Sequence, residues 1–104
     1  MNNPSSHLSC IRSAADIIGN KWTALILREL ADEPRRYCEI ERAIGDINPR
    51  VLCQRLDSLQ QHGIIIETDS RYELTLKGRD LLPILRDMAD WSAHYPRDPS
   101  YNVA

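Results

Sequence analysis

The chain has no apolar run approaching the ~20 residues that a bilayer-spanning helix needs. It opens on MNNPSSHLSC, without the basic-then-apolar pattern of a secretory leader. Both absences point to a cytosolic protein with no membrane partner. Cysteine is sparse: Cys10, Cys38 and Cys53 make three, an odd number with no CxxC spacing. That excludes a disulfide framework and a zinc ribbon, and free thiols are the expectation in a reducing compartment. His7-x-x-Cys10 has no second ligand pair nearby, so no metal is expected. Ser-His-Asp, Walker and dinucleotide motifs are missing, and neither a catalytic centre nor a cofactor site is read from the chain. Internal repeats and low-complexity segments are absent too.

What remains is enough for one domain with a modest core. The 104 residues are 42% apolar and 27% charged, a balance that suits a soluble globular fold and argues against disorder. A net charge of −2 offers no global hint of a polyanionic partner, but its distribution does. Between Arg35 and Arg55 five arginines (35, 36, 42, 50, 55) face Glu39, Glu41 and Asp46, a local +2. Between Asp80 and Asp98 four acids outnumber Arg86 and Arg97, a local −2. Charge runs of this size are usually solvated faces, so the basic segment matters only if its geometry does.

Periodicity divides the chain into helices and one hairpin. Residues 1–8 are polar and read as a flexible arm. Ser9 can cap a helix from Cys10 to Ile18, with Ile11, Ala14, Ala15 and Ile18 on one face and Gly19 closing it. Asn20 can cap a second helix, Lys21 to Ala31, whose apolar positions (Trp22, Leu25, Ile26, Leu27, Leu30) cover enough of its circumference to make it central. Pro34 breaks the pattern. A third helix, about Tyr37 to Ile44, places Tyr37, Ile40 and Ile44 on one face. After the turn Gly45-Asp46-Ile47, Asn48 caps a fourth helix with Pro49 in its first position. Helix, tight glycine-containing turn, helix is the helix-turn-helix arrangement.

At ~100° per residue the fourth helix separates cleanly. Leu52, Leu56 and Leu59 form the inward stripe, while Arg50, Gln54, Asp57 and Gln61 point away; Val51 and Arg55 lie on one flank and Cys53 on the other. Ile64 to Thr68 and Arg71 to Leu74 read as two strands around an Asp69-Ser70 turn, so a hairpin follows the helix-turn-helix directly. Thr75 can cap a last helix reaching about Tyr95, kinked by Pro83. It carries two apolar rows: Leu81, Leu85, Met88 and Ser92, and Ile84, Met88, Trp91 and Tyr95. The domain thus runs 9–95, followed by a Pro-punctuated tail at 96–104. The fold class is mainly α with a small β-hairpin: a winged helix-turn-helix.

A helix that enters the DNA major groove needs side chains bearing donor and acceptor pairs. Arg suits guanine, Gln suits adenine, and small residues let the backbone approach. Contacts come mainly from the N-terminal half of the helix, here Asn48, Arg50, Val51, Cys53, Gln54 and Arg55. Arg36 is expected to meet phosphate, and Arg71 to reach DNA from the hairpin. A polar helix surface with no such role is the bland alternative, but the preceding turn, the following hairpin and the local basic excess each have a part in docking a duplex.

The stretches CIRSAADIIGNKWTALILREL, PRRYCEIERAIGDINPRVLCQRLDSLQQHGIIIE and YELTLKGRDLLPIL, with Trp91, resemble the HxlR-type helix-turn-helix transcriptional regulators over about residues 10 to 91. The resemblance implies a homodimer joined through its terminal helices, bound to double-stranded DNA at a pseudo-palindromic operator, most often as a repressor. Ile11, Leu81, Leu85, Met88, Trp91 and Tyr95 would then form the dimer interface. The chain departs from the family pattern in three places: Ile11 stands where proline is usual after the N-terminal cysteine, Cys53 where a small polar residue is common, and the hairpin tip is short.

Some members sense oxidants or electrophiles through that cysteine, so Cys10 has two readings. As a sensor it would draw on a helix N-terminus to favour the thiolate. As a packing residue it would sit buried between protomers. Cys38 and Cys53 read as packing or flank residues, and His62 as a charge partner for the C-terminus of the fourth helix. Against the DNA-binding regulator stands a winged helix that binds only protein, which Asp57 on the outward face and the net negative charge keep open.

Overall fold

The computed structural model describes residues 4–95, with side chains from residue 8 onward; the segment 96–104, read above as a tail, lies outside the described residues. Helix α1 spans Pro4–Ile18, α2 Lys21–Leu30, α3 Tyr37–Ile44 and α4 Pro49–Gln61. Strands β1 (Arg35–Arg36), β2 (Ile65–Thr68) and β3 (Arg71–Leu74) form one antiparallel sheet in the order β1-β3-β2. Helix α5 (Leu76–Arg79) and α6 (Leu82–His94) complete the chain. This is a winged helix-turn-helix with one more strand than the periodicity announced.

The core is built where the stripes predicted. Ile26, Leu27 and Leu30 of α2 meet Ile40 of α3, Leu52, Leu56 and Leu59 of α4, and Ile64, Ile65 and Leu74 of the hairpin, all buried. Capping fixes the helix starts. Asn20 Oδ1 accepts from Trp22 N–H and Asn48 Oδ1 from Arg50 N–H, each at 2.8 Å, and Pro49 takes a first-turn position where its missing N–H costs nothing. Helix α4 ends in a Schellman motif. Gly63, at φ 71°, donates to Gln60 O, while Ile64 donates to Leu59 O, and the buried side chains of Ile64 and Leu59 join the same core. That stop aims the chain straight into β2.

Three expectations are corrected. Helix α1 starts at Pro4, so residues 4–8 of the supposed arm are helical and Cys10 lies in the second turn. Proline is well suited to the first turn of a helix, where its missing N–H costs nothing. The last helix is two helices, not one kinked helix: Thr75 Oγ1 accepts from Gly78 N–H and caps α5, and a fresh start at Leu82 puts Pro83 in the first turn of α6. There the proline ring costs little, whereas in one continuous helix it would remove a hydrogen bond and clash with a carbonyl one turn back. Third, ADEPRR does not simply break α2. Arg35 and Arg36 pair with Tyr72 and Arg71 of β3.

Gly78 marks the tightest joint. A Cβ there would collide with the carbonyl oxygen of Ile64, where Thr75 N–H and its hydroxyl also donate. Gly78→Ala should therefore destabilise the fold by ~1–3 kcal/mol through forced backbone shifts, measurable as a lower urea midpoint at unchanged slope.

The outer faces of the terminal helices are left uncovered by the described residues. None of α6 is buried, and Leu8, Ile11, Ile84, Met88, Trp91 and Tyr95 all expose large apolar surface. The radius of gyration is 15.8 Å, against ~13 Å for a compact chain of 100 residues. The two apolar rows of α6 divide. Leu81 and Leu85, with Leu82, pack half-buried on the chain's own core, whereas the row from Ile84 to Tyr95 faces out. No helix among the described residues is long and apolar enough to cross a membrane.

Candidate nucleic-acid interface

Helix α4 presents the surface its wheel predicts. Arg50, Gln54, Asp57 and Gln61 are exposed on the side opposite the buried leucines, as is Cys53 on one flank; Val51 and Arg55 are half-buried on the other. Asn48 has committed its carbonyl oxygen to the cap, so only its NH2 group is left to meet a ligand. Val51 packs against the core and offers just part of its surface.

Ion pairing distinguishes the arginines where sequence could not. Among the described residues Arg36, Arg50, Arg55 and Arg71 have no carboxylate within ion-pair distance, whereas Arg35 pairs with Glu33 at 2.9 Å and donates to Glu29 O. Arg35 is therefore a structural cation and Arg36 a free one. Glu39 does not cancel Arg36 by an ion pair; its Oε1 accepts the Arg36 backbone N–H at 2.7 Å. That hydrogen bond, helped by the nearby guanidiniums of Arg35, Arg71 and Arg36, holds the Glu39 carboxyl below its ordinary value.

The hairpin tip is tight. Asp69 and Ser70 both take positive φ, 53° and 64°, which gives the turn the hand that matches the strand twist. Arg71 follows it, exposed.

A tyrosine missed by the sequence reading holds this face together. Tyr37, counted above only as an apolar position, donates its hydroxyl to Pro49 O at 3.3 Å and receives the Cys53 thiol at 3.8 Å. It therefore ties the start of α3 to the first turn of α4 and sets how α4 leaves the turn. Desolvation, then the hydrogen bond from Cys53, pushes the phenol up to about 12, so it stays a donor at any physiological pH. Tyr72 on β3 lies within electrostatic reach of Cys53 and Asp57. An aromatic residue opening a helix three positions before its buried isoleucine was the one available clue.

At the far end of α4, His62 Nδ1 donates to Ser58 O at 2.8 Å and Lys77 Nζ donates to His62 O at 2.8 Å. Both complement the negative end of the helix dipole, as expected for His62. The three cysteines are exposed free thiols, which corrects the packing role suggested for Cys38. It shares α3 with the inward Tyr37, Ile40 and Ile44 but lies on the solvent side. Cys10 is not at a helix start, so it gains nothing from the helix dipole, which fades within the first turn. Among the described residues no group of three His, Cys, Asp or Glu side chains gathers as a metal site.

The exposed α4 row, the turn before it and the hairpin beside it make a donor-rich face of a kind that suits a groove. The family model of the HxlR-like helix-turn-helix matches residues 17–99. The chain belongs to the HxlR family. It is 37% identical to the HTH-type transcriptional regulator YvaP of Bacillus subtilis, over 95% of this chain and 97% of that one. Against the HTH-type transcriptional regulator YodB of B. subtilis it is 33% identical over 82% of both chains. Quinone-bound YodB superposes on this HxlR-family chain with a TM-score of 0.80, covering 84% of it and 99% of YodB at 32% identity. The redox regulator HypR in its oxidised form gives a TM-score of 0.70 at 29% identity, covering 85% and 97%. The chain is thus similar along almost its whole length to helix-turn-helix transcriptional regulators, not to a fragment of them.

Proposed function

We propose that the protein is a homodimeric, sequence-specific DNA-binding regulator, a repressor, acting on a pseudo-palindromic operator in the cytoplasm. The observation that carries this is the exposed row of α4, with Arg50 and Gln54 free of partners among the described residues and projecting from the half of the helix that leads into a groove. Arg50 and Gln54 read base edges, with Cys53 and part of Val51 beside them. Arg36, Arg55, Arg71 and the amide of Asn48 meet the backbone. Twofold pairing through α1 and α6 would set two α4 helices ~34 Å apart, one turn of the duplex.

Selection of bound duplexes from a random pool, followed by titration across salt, tests the proposal. Counterion release demands that affinity fall steeply as salt rises. Enrichment of no sequence, with no salt-dependent duplex binding, would favour the protein-binding winged helix instead.

A redox response through Cys10 is the second element proposed. Cys10 is exposed on α1 beside the uncovered Leu8 and Ile11, and YodB and HypR are known in quinone-bound, diamide-treated and oxidised forms. Modification there would place bulk in the dimer seam and change the spacing of the two α4 helices, with a coupling of ~1–3 kcal/mol. Diamide or a quinone should release operator from the wild type at least several-fold more readily than from Cys10→Ser. Equal release from both proteins, or from neither, makes Cys10 a packing residue.

A further inference from the structure

We propose that Arg36, Arg71 and Thr68 form one composite anion site, a clamp for a single backbone phosphate, on the outer face of the sheet. It rests on the DNA-binding proposal above and adds to it a defined subsite made by three strands.

Register brings the three residues into one row. Arg36 of β1 lies opposite Arg71 of β3, and Arg71 lies opposite Thr68 of β2. Residues directly opposite across antiparallel strands point to the same face with Cβ atoms ~4.5–5.5 Å apart. Two guanidiniums and a hydroxyl therefore stand side by side. Arg35 and Tyr72, the next pair along, point to the other face, where Arg35 is already held by Glu33 and Glu29.

Such an arrangement costs the free protein stability, because like charges directly opposite repel. Glu39 offsets the repulsion only in part and from a distance, and among the described residues no carboxylate forms an ion pair with either arginine. Asp69 and Glu73 border the same recess, yet neither comes within ion-pair distance of either arginine, and Glu39 is taken up by the Arg36 backbone N–H. An anion that accepts from both guanidiniums would turn the repulsion into binding. Phosphate suits this best, since its oxygens match the planar fork of arginine.

The open recess of about 380 Å³, lined by Pro34, Arg36, Thr68, Asp69, Arg71 and Glu73, has room for the group. Its two carboxylates also limit what can bind. A strand lying along the sheet would bring its next phosphate against Asp69 or Glu73, so the site takes one phosphate of a strand that crosses it. On this view the two-residue β1 serves to hold Arg36 in register with Arg71.

Methylphosphonate scanning of the selected operator tests this, one neutral linkage at a time, with wild type, Arg36→Gln, Arg71→Gln and the double variant. One phosphate per half-site should cost the wild type about tenfold when neutralised and cost the variants little. The double variant should be no weaker than either single one, and the salt slope should fall by about one per half-site. Variants that still respond to every phosphate the wild type feels, or single losses that multiply, overturn the clamp.

Melting without DNA provides an independent arm. At matched ionic strength, replacing chloride by sulfate should raise the wild-type midpoint more than that of either variant, and in chloride the variants should melt no lower than the wild type. If the protein binds no duplex, the DNA-binding proposal fails, and the sulfate comparison alone decides the site: equal shifts in all four proteins overturn it.

Discussion

Replacing Arg50 and Gln54 together by alanine is expected to remove most sequence-specific affinity while leaving the melting temperature of the protein nearly unchanged. Each side chain is exposed on α4 opposite Leu52 and Leu56, and neither supports the core. A good bidentate contact to a base is worth ~1–3 kcal/mol of discrimination, so two independent losses come to roughly 2–6 kcal/mol. What should survive is weak, salt-sensitive binding with little sequence preference, supplied by the phosphate contacts. Fluorescence anisotropy with the operator and with a scrambled duplex separates these components. Undiminished preference for the operator in a folded double variant would rule out docking through this row. Arg36→Ala should instead weaken both duplexes alike, because a phosphate contact carries no sequence information.

The second large effect is expected from Trp91→Asp. Trp91 is 69% exposed and leans on Tyr95, ring centroids 5.6 Å apart, in a row with Ile84 and Met88, which are also exposed among the described residues. Buried tryptophans at interface centres commonly cost 2 kcal/mol or more when lost, and a buried charge adds to that. Light scattering at micromolar concentration should show the wild type as a dimer and Trp91→Asp as a monomer with native circular dichroism. Operator affinity should fall with it, since a monomer engages one half-site. A wild type that is monomeric, or a Trp91→Asp variant that stays dimeric, would refute the pairing through α6. Leu85→Asp, equally plausible as an interface variant from sequence, is a poor probe. Leu85 packs half-buried on the chain's own core, and a carboxylate there should destabilise the fold itself.

The sequence by itself determined most of the local elements and the inward and outward faces of α4. Asn20, Asn48, Pro49, Gly63 and Thr75 specify starts and stops through hydrogen bonds that span a few residues, and the period of Leu52, Leu56 and Leu59 follows from helix geometry alone. Tertiary structure alone decided everything that depends on which distant segments meet. A strand as short as Arg35–Arg36 has no period to detect and exists only because β3 offers it partners. The division of a tandem PRR into one arginine held by Glu33 and one left free for a ligand follows from the sheet's two faces, which alternate along β1. Likewise, Tyr37 became the link between α3 and α4 because the turn folds Pro49 back onto its hydroxyl. Side-chain polarity and short-range capping are written residue by residue, whereas charge compensation and alignment arise between residues far apart in the chain, and no pattern along a single strand of sequence records them.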